Sequence, residues 1–160
     1  MKNCINLEKV SLPSTLTEIG FQAFQGCMSL TDIEFPERLS KIEREAFLNC
    51  ENLENINLHS GITILGDYAF QNTGIREIDL TKGDSENLGS KLEIGIGTFS
   101  GCKKLEKVKL SERLAFIPDQ LFNGCIALKE VKFAKGLRGI GEEAFKNCSL
   151  ISEMMDIPET

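Results

Sequence analysis

Cys27-Met28-Ser29-Leu30-Thr31-Asp32-Ile33-Glu34-Phe35-Pro36-Glu37-Arg38-Leu39-Ser40-Lys41-Ile42-Glu43-Arg44-Glu45-Ala46-Phe47-Leu48-Asn49 decides the fold, because its pattern recurs along the chain. Phe24, Phe47 and Phe70 stand 23 residues apart, as do Phe99, Phe122 and Phe145, and only Phe70 to Phe99 spans 29. Cysteines keep the same phase at Cys4, Cys27, Cys50, Cys102, Cys125 and Cys148. The shared unit reads C-x-x-L-x-x-[IV]-x-[LF]-[P/x]-x-x-L-x-x-I-G-x-x-A-F-x-[GN]. Unit four departs from it twice. Thr73-Gly74-Ile75 replaces the cysteine segment and is one residue short, and Thr81 to Ser90 adds a Gly-, Asp- and Ser-rich insertion. That composition marks an exposed loop over 81–90.

Self-similarity at a fixed period signals a repeat architecture, and 23 residues lies within the roughly 20–29 of leucine-rich repeats. In the L-x-x-V-x-L step, alternation puts Val10 and Leu12 on one face and Lys9 and Ser11 on the other. One such strand per unit, about 4.8 Å from the next, builds a continuous parallel sheet. A second extended piece ends at Gly20 and its equivalents, and the Ala-Phe pair then returns the chain on a helical turn. The expectation is therefore an α/β repeat solenoid over residues 1–160, a right-handed superhelix with its parallel strand sheet on the concave face. Short helical turns and extended pieces form the other sides. It has six repeats of 23–29 residues plus a partial seventh from Cys148, with Met154, Met155 and Ile157 as a last strand-like piece. No unit can bury its apolar face alone, so stability is shared between neighbours.

Composition narrows function by exclusion. The net charge of −6, from 24 acidic and 18 basic side chains, is the wrong sign for a phosphate-neutralising nucleic-acid binder. It equally disfavours an anionic membrane surface. No apolar run approaches the ~20 residues of a spanning helix, so no membrane insertion is expected. Met1 to Lys9 lacks the apolar core of a secretory signal, which leaves either a cytoplasmic protein or a mature or excised piece of something longer.

The Leu12-Pro13 and Phe35-Pro36 steps, the Ile-Gly-x-x-Ala-Phe blocks and the repeat-start cysteines resemble the BspA-like, or treponemal-type, leucine-rich repeat. The resemblance covers nearly the whole chain, and even Asn72-Thr73-Gly74-Ile75 looks like a variant of that family. It implies a cell-surface or secreted protein that binds host matrix proteins or other cells. It implies adhesion or protein recognition, with no catalytic residues.

The residues that could carry chemistry read as structure. The cysteines occur once per repeat rather than in C-x-x-C pairs, which argues against a zinc site. Neighbours could approach within disulfide range, yet a ladder of free, core-lining thiols is the simpler expectation. His59, the single histidine, takes the position of Pro13 and Pro36 at the rim of the strand face. It has no second histidine or paired nucleophile to work with. Gly95-Ile96-Gly97 lacks a following G-K-[ST] and falls on the ordinary Ile-Gly turn. No catalytic, metal or cofactor site is expected.

A partner would meet the solvent side of the strands. Repeat phase assigns that face to Lys9, Ser11, Asp32, Glu34, Asn55, Asn57, Glu77, Asp79, Lys107, Lys109, Glu130 and Lys132. It is acidic across repeats two to four and basic at five, with Lys132 beyond. One reading is a solvated strand face; the other is a bipolar surface that orients a partner of complementary charge. Few aromatics fall on it, so modest affinity multiplied by repetition on a larger molecule is expected. The ends lack polar caps, which suggests end-to-end stacking on further repeats or on another copy. The rival reading is an intracellular protein–protein interaction scaffold.

Overall fold

A computed structural model describes residues 1–82, 84 and 91–149. Most of the 81–90 insertion, and Met154, Met155 and Ile157, lie outside the described residues. The described part contains eleven short strands, all paired in parallel, in two lines along the stack. The first line holds the L-x-x-V-x-L strands β2 (Asp32–Ile33), β4 (Asn55–Ile56), β6 (Glu77–Asp79), β8 (Lys107–Lys109) and β10 (Glu130–Lys132). The second holds β1 (Glu18–Ile19), β3 (Lys41–Ile42), β5 (Ile64–Leu65), β7 (Glu93–Ile94), β9 (Phe116–Ile117) and β11 (Gly139–Ile140). Register follows the repeat, as in Glu18 opposite Lys41 and Val108 opposite Val131.

No helix forms among the described residues. The Ala-Phe segment is instead a run of tight turns, for a physical reason visible in its hydrogen bonds. Ala23, Gln25 and Cys27 N–H groups close turns onto Gly20, Gln22 and Phe24. The alternate N–H groups of Gln22, Phe24 and Gly26 donate to Arg44, Ala46 and Leu48 of the next repeat, at 3.2, 2.8 and 2.8 Å. Every later junction repeats this, through Phe47 to Ala69, Phe70 to Thr98, Phe99 to Leu121 and Phe122 to Ala144. A helix would spend those donors within its own segment. Aiming them outward requires left-handed backbone at two points per turn. One point is Gln22, Glu45, Tyr68, Gly97, Gln120 and Glu143; the other is Asn3, Gly26, Asn49, Asn72, Gly101, Gly124 and Asn147. The second row uses only Gly and Asn, the residues that reach this region most cheaply, which explains the [GN] mark in the repeat.

Under these turns runs the core. Phe24, Phe47, Phe70, Phe99, Phe122 and Phe145 stack with centroids 5.2–6.0 Å apart, and the four rings from Phe47 to Phe122 are fully buried. Beside them the cysteines form a second ladder of free thiols. Cys50 Sγ donates to Phe24 O at 3.0 Å, Cys102 to Phe70 O at 3.2 Å and Cys125 to Phe99 O at 3.2 Å. Thr73, in the cysteine position of repeat four, instead donates to Phe70 O in its own turn, at 2.9 Å.

The first-line sheet is not continuous. Residues 9–12 form no strand, and β2–β4 is a separate sheet from β6–β8–β10. Unit four enters β6 one residue early, through Thr73-Gly74-Ile75, beside the β4–β6 break. The second line breaks one junction later, between β7 and β9. The turn ladder and the Phe stack pass both breaks unbroken.

Candidate interaction surface

Strand alternation places the phase-assigned side chains where the sequence expects them. Eleven of the twelve are exposed and Asp79 is half-buried, whereas their neighbours Ile33, Ile78 and Val108 are buried. Register sets Glu77 opposite Lys107 and Asp79 opposite Lys109, so acidic and basic rows meet at β6–β8. There Lys109 Nζ lies 3.0 Å from Asp79 Oδ2. Partial burial pulls the Asp79 pKa up, but bonds from Thr81 and Lys109 outweigh it and hold the carboxyl below its usual value. The same bond holds the Lys109 ammonium above its usual value.

Repeat phase missed a cleft on this face. Between β4 and β6 opens a space of about 380 Å³, lined by Glu54, Asn55, Ile56, Leu58 and Arg76 to Asp79, with Lys82 at one end. Two further hollows, of about 450 and 540 Å³, follow toward the N-terminus between successive repeats. Exposed side-chain pairs bridge the β4–β6 cleft at its ends. Arg76 Nε meets Glu54 Oε2 at 3.3 Å, and Lys82 Nζ donates to Asn57 Oδ1. Lys104 reaches the same Glu54 at 2.7 Å, and bonds from Lys104 and Arg76 hold that carboxyl below its usual value. Hollows also lie at junctions with full-length cysteine steps, so the cleft could not be read from the repeat without the stacked backbone.

His59 is buried rather than open at the rim. Its Nε2 lies 3.1 Å from Pro36 O, while Gly61 N–H donates to Nδ1 at 3.2 Å, so the ring ties two repeats together as the Nε2–H tautomer. The first described residue of the insertion tip, Asp84, is likewise a tie. Its carboxylate accepts from Ser111 Oγ and from Glu112 N–H and lies 3.7 Å from Arg113 Nε.

Burial pushes the core thiols away from ionisation. The Cys50 thiol is pushed up to about 12 and that of Cys102 to about 11, with Cys27, Cys125 and Cys148 raised for the same reason. These are packing groups, since only the thiolate is nucleophilic or metal-binding. Among the described residues no group of three His, Cys, Asp or Glu is placed to hold a metal ion. Nor is any helix among them long and apolar enough to cross a membrane.

A stacked parallel-strand solenoid with a polar, grooved strand face is the form of a leucine-rich-repeat protein, a class that generally binds other proteins and is generally non-catalytic. The model of the BspA type leucine rich repeat region matches in six copies over residues 1–92 and 92–160, and the chain belongs to that family. Its structure is similar to the T. pallidum leucine rich repeat protein TpLRR, at 30% identity and a TM-score of 0.85, covering 95% of this chain and 68% of that one. It is similar to a leucine-rich repeat protein of Bacteroides ovatus, at 32% identity and TM-score 0.70, covering 93% of this chain and 43% of that one. A leucine rich cell surface protein of Faecalibacterium prausnitzii matches at 25% identity and TM-score 0.67, covering 89% of this chain and 35% of that one. The chain thus spans less than half the length of the last two. No curated protein matches its sequence.

Proposed function

We propose that this chain is a non-catalytic recognition module that holds a host matrix or cell-surface protein on its concave strand face, as part of adhesion at the cell surface. The observation that carries this is the ordered charge of the face, with Asp32, Glu34 and Glu77 exposed on one half and Lys107, Lys109 and Lys132 on the other. Complementary charge orients a partner and speeds its capture. The name of the F. prausnitzii relative supports a surface location. The test is binding to a panel of extracellular-matrix proteins by wild type, by Glu34→Lys with Glu77→Lys, and by Lys109→Glu with Lys132→Glu. Binding that either reversal weakens, and that salt screens, is the expected result. No binding by wild type to any panel member would sink the adhesive reading.

A second reading, an intracellular interaction scaffold, is favoured by the six free thiols, since reducing compartments keep cysteines unpaired. Fractionating the native cells and probing both compartments separates the two. Recovery from the soluble interior alone would select the scaffold.

A further inference from the structure

The cleft between β4 and β6 differs from the β6–β8 and β8–β10 junctions in what its main chain lacks. At later junctions, Leu80 N–H donates to Lys109 O and Leu110 N–H to Lys132 O, both at 2.9 Å. Glu106 N–H likewise reaches Arg76 O at 2.8 Å, and Lys129 N–H reaches Glu106 O at 2.9 Å. The matching donors at the β4–β6 junction are Leu58 and Arg76, and among the described residues neither makes such a bond. By the same alternation, the main-chain groups of Ile56 on one strand and Glu77 on the other face each other without a ladder between them. The floor is partly open: Ile56 is half-buried, as are Val10 and Val131 in the first and sixth units, whereas Ile33, Ile78 and Val108 at the same repeat position are buried.

Above that floor the charge is acidic and partly unspent. Of the cleft's carboxylates, Glu54 and Asp79 are ion-paired, while Glu77 on β6 is exposed and forms no ion pair with any described residue. The protein's own clasps show what these acceptors take, since Arg76 and Lys82 are cations reaching across to Glu54 and Asn57. One ligand answers all three features. An extended peptide offers N–H and C=O groups at strand spacing, one side chain down and the next two up.

We propose that the β4–β6 cleft binds an extended segment of a protein partner through its main chain, with a small apolar residue on Ile56 flanked by Lys or Arg beside Glu77. The segment seats where the ladder is missing, and its flanking cations replace or join Arg76 and Lys82. This rests on the recognition reading above and names the kind of sequence that the acidic half of the face selects.

The test is a titration of ¹⁵N-labelled protein with the capped peptide Gly-Ser-Lys-Val-Lys-Gly-Ser, followed by amide shifts. Parallel titrations use its Glu-Val-Glu counterpart and a version N-methylated at Val. Saturable shifts centred on Ile56, Leu58, Arg76 and Glu77 are expected. Binding should weaken about tenfold with the Glu peptide, with N-methylation, or in Glu77→Lys, whose exposed position leaves folding intact. Absence of saturable binding overturns the proposal. So does binding that N-methylation leaves unchanged, or shifts that spread over Asp32 and Glu34 without reaching β6, since simple charge attraction would give both. The matrix-protein panel answers separately. A panel partner retained while the peptide fails removes the cleft and keeps the face.

Discussion

The two halves of the strand face are built from the same repeat and end up different. In the C-terminal half, β6, β8 and β10 are three residues long, in full register, and carry both signs, with Glu77, Asp79 and Glu130 paired beside Lys107, Lys109 and Lys132. In the N-terminal half, β2 and β4 are two residues long, residues 9–12 form no strand, hollows lie between repeats, and the charge is acidic. Beneath both halves the Phe stack and turn ladder are the same. The difference teaches that the stack is held together on its turn side, which leaves the strand side free to vary at single junctions.

That comparison can be broken most forcefully at the stack. Phe70→Ala, beneath the junction where the strand ladder is absent, should cost about 3–5 kcal/mol in denaturant unfolding, as deletion of a fully buried ring does. Phe145→Ala, only partly buried, should cost clearly less. Equal losses would mean that the stack is not the common support. The left-handed row comes next. Asn49→Ala should lose about 1 kcal/mol through its positive φ, whereas Asn49→Gly should stay within a few tenths of wild type. A harmless alanine would show that the outward-aimed turn donors matter little.

Hydrogen exchange sharpens the contrast between the halves directly. The amides of Leu58 and Arg76 should exchange about tenfold faster than those of Leu80 and Leu110, which donate across their junctions. Matched rates would deny the gap. The smallest expected effect is with acid. Glu43, Glu54 and Glu106 are held low first by bonds from Lys41, Lys104 and Lys129. At Asp79 the bonds from Thr81 and Lys109 overcome the opposing effect of burial. Groups depressed in the folded state stabilise it above their ordinary values, 4.5 for Glu and 3.8 for Asp, and lose that contribution as pH falls through the folded values. The melting temperature should therefore hold from pH 7 to 5 and slip gently below about 4. Asp79→Asn should remove part of that slope.

Much of this was legible in the chain. The 23-residue phase named every ring of the Phe stack, every rung of the cysteine ladder and the exposed side of each strand, because each depends only on position within the repeat. What escaped depends on how repeats meet. Ala-Phe reads as a helical turn locally, and only the neighbouring repeat's carbonyls turn its donors outward. His59 reads as a rim residue until the Pro36 carbonyl behind it is seen. The cleft depends on which neighbouring strands pair, and no single repeat states that.

Thr73 carries one more consequence. In the single rung where the ladder has no cysteine, a hydroxyl bonds Phe70 O within its own turn and meets Cys102 Sγ at 3.2 Å. The five thiols that donate to the preceding repeat are ties between units, and rung four lacks that tie. An oxidant that reached the stack would therefore cut those ties and spare the fourth rung, where there is no sulfur to attack.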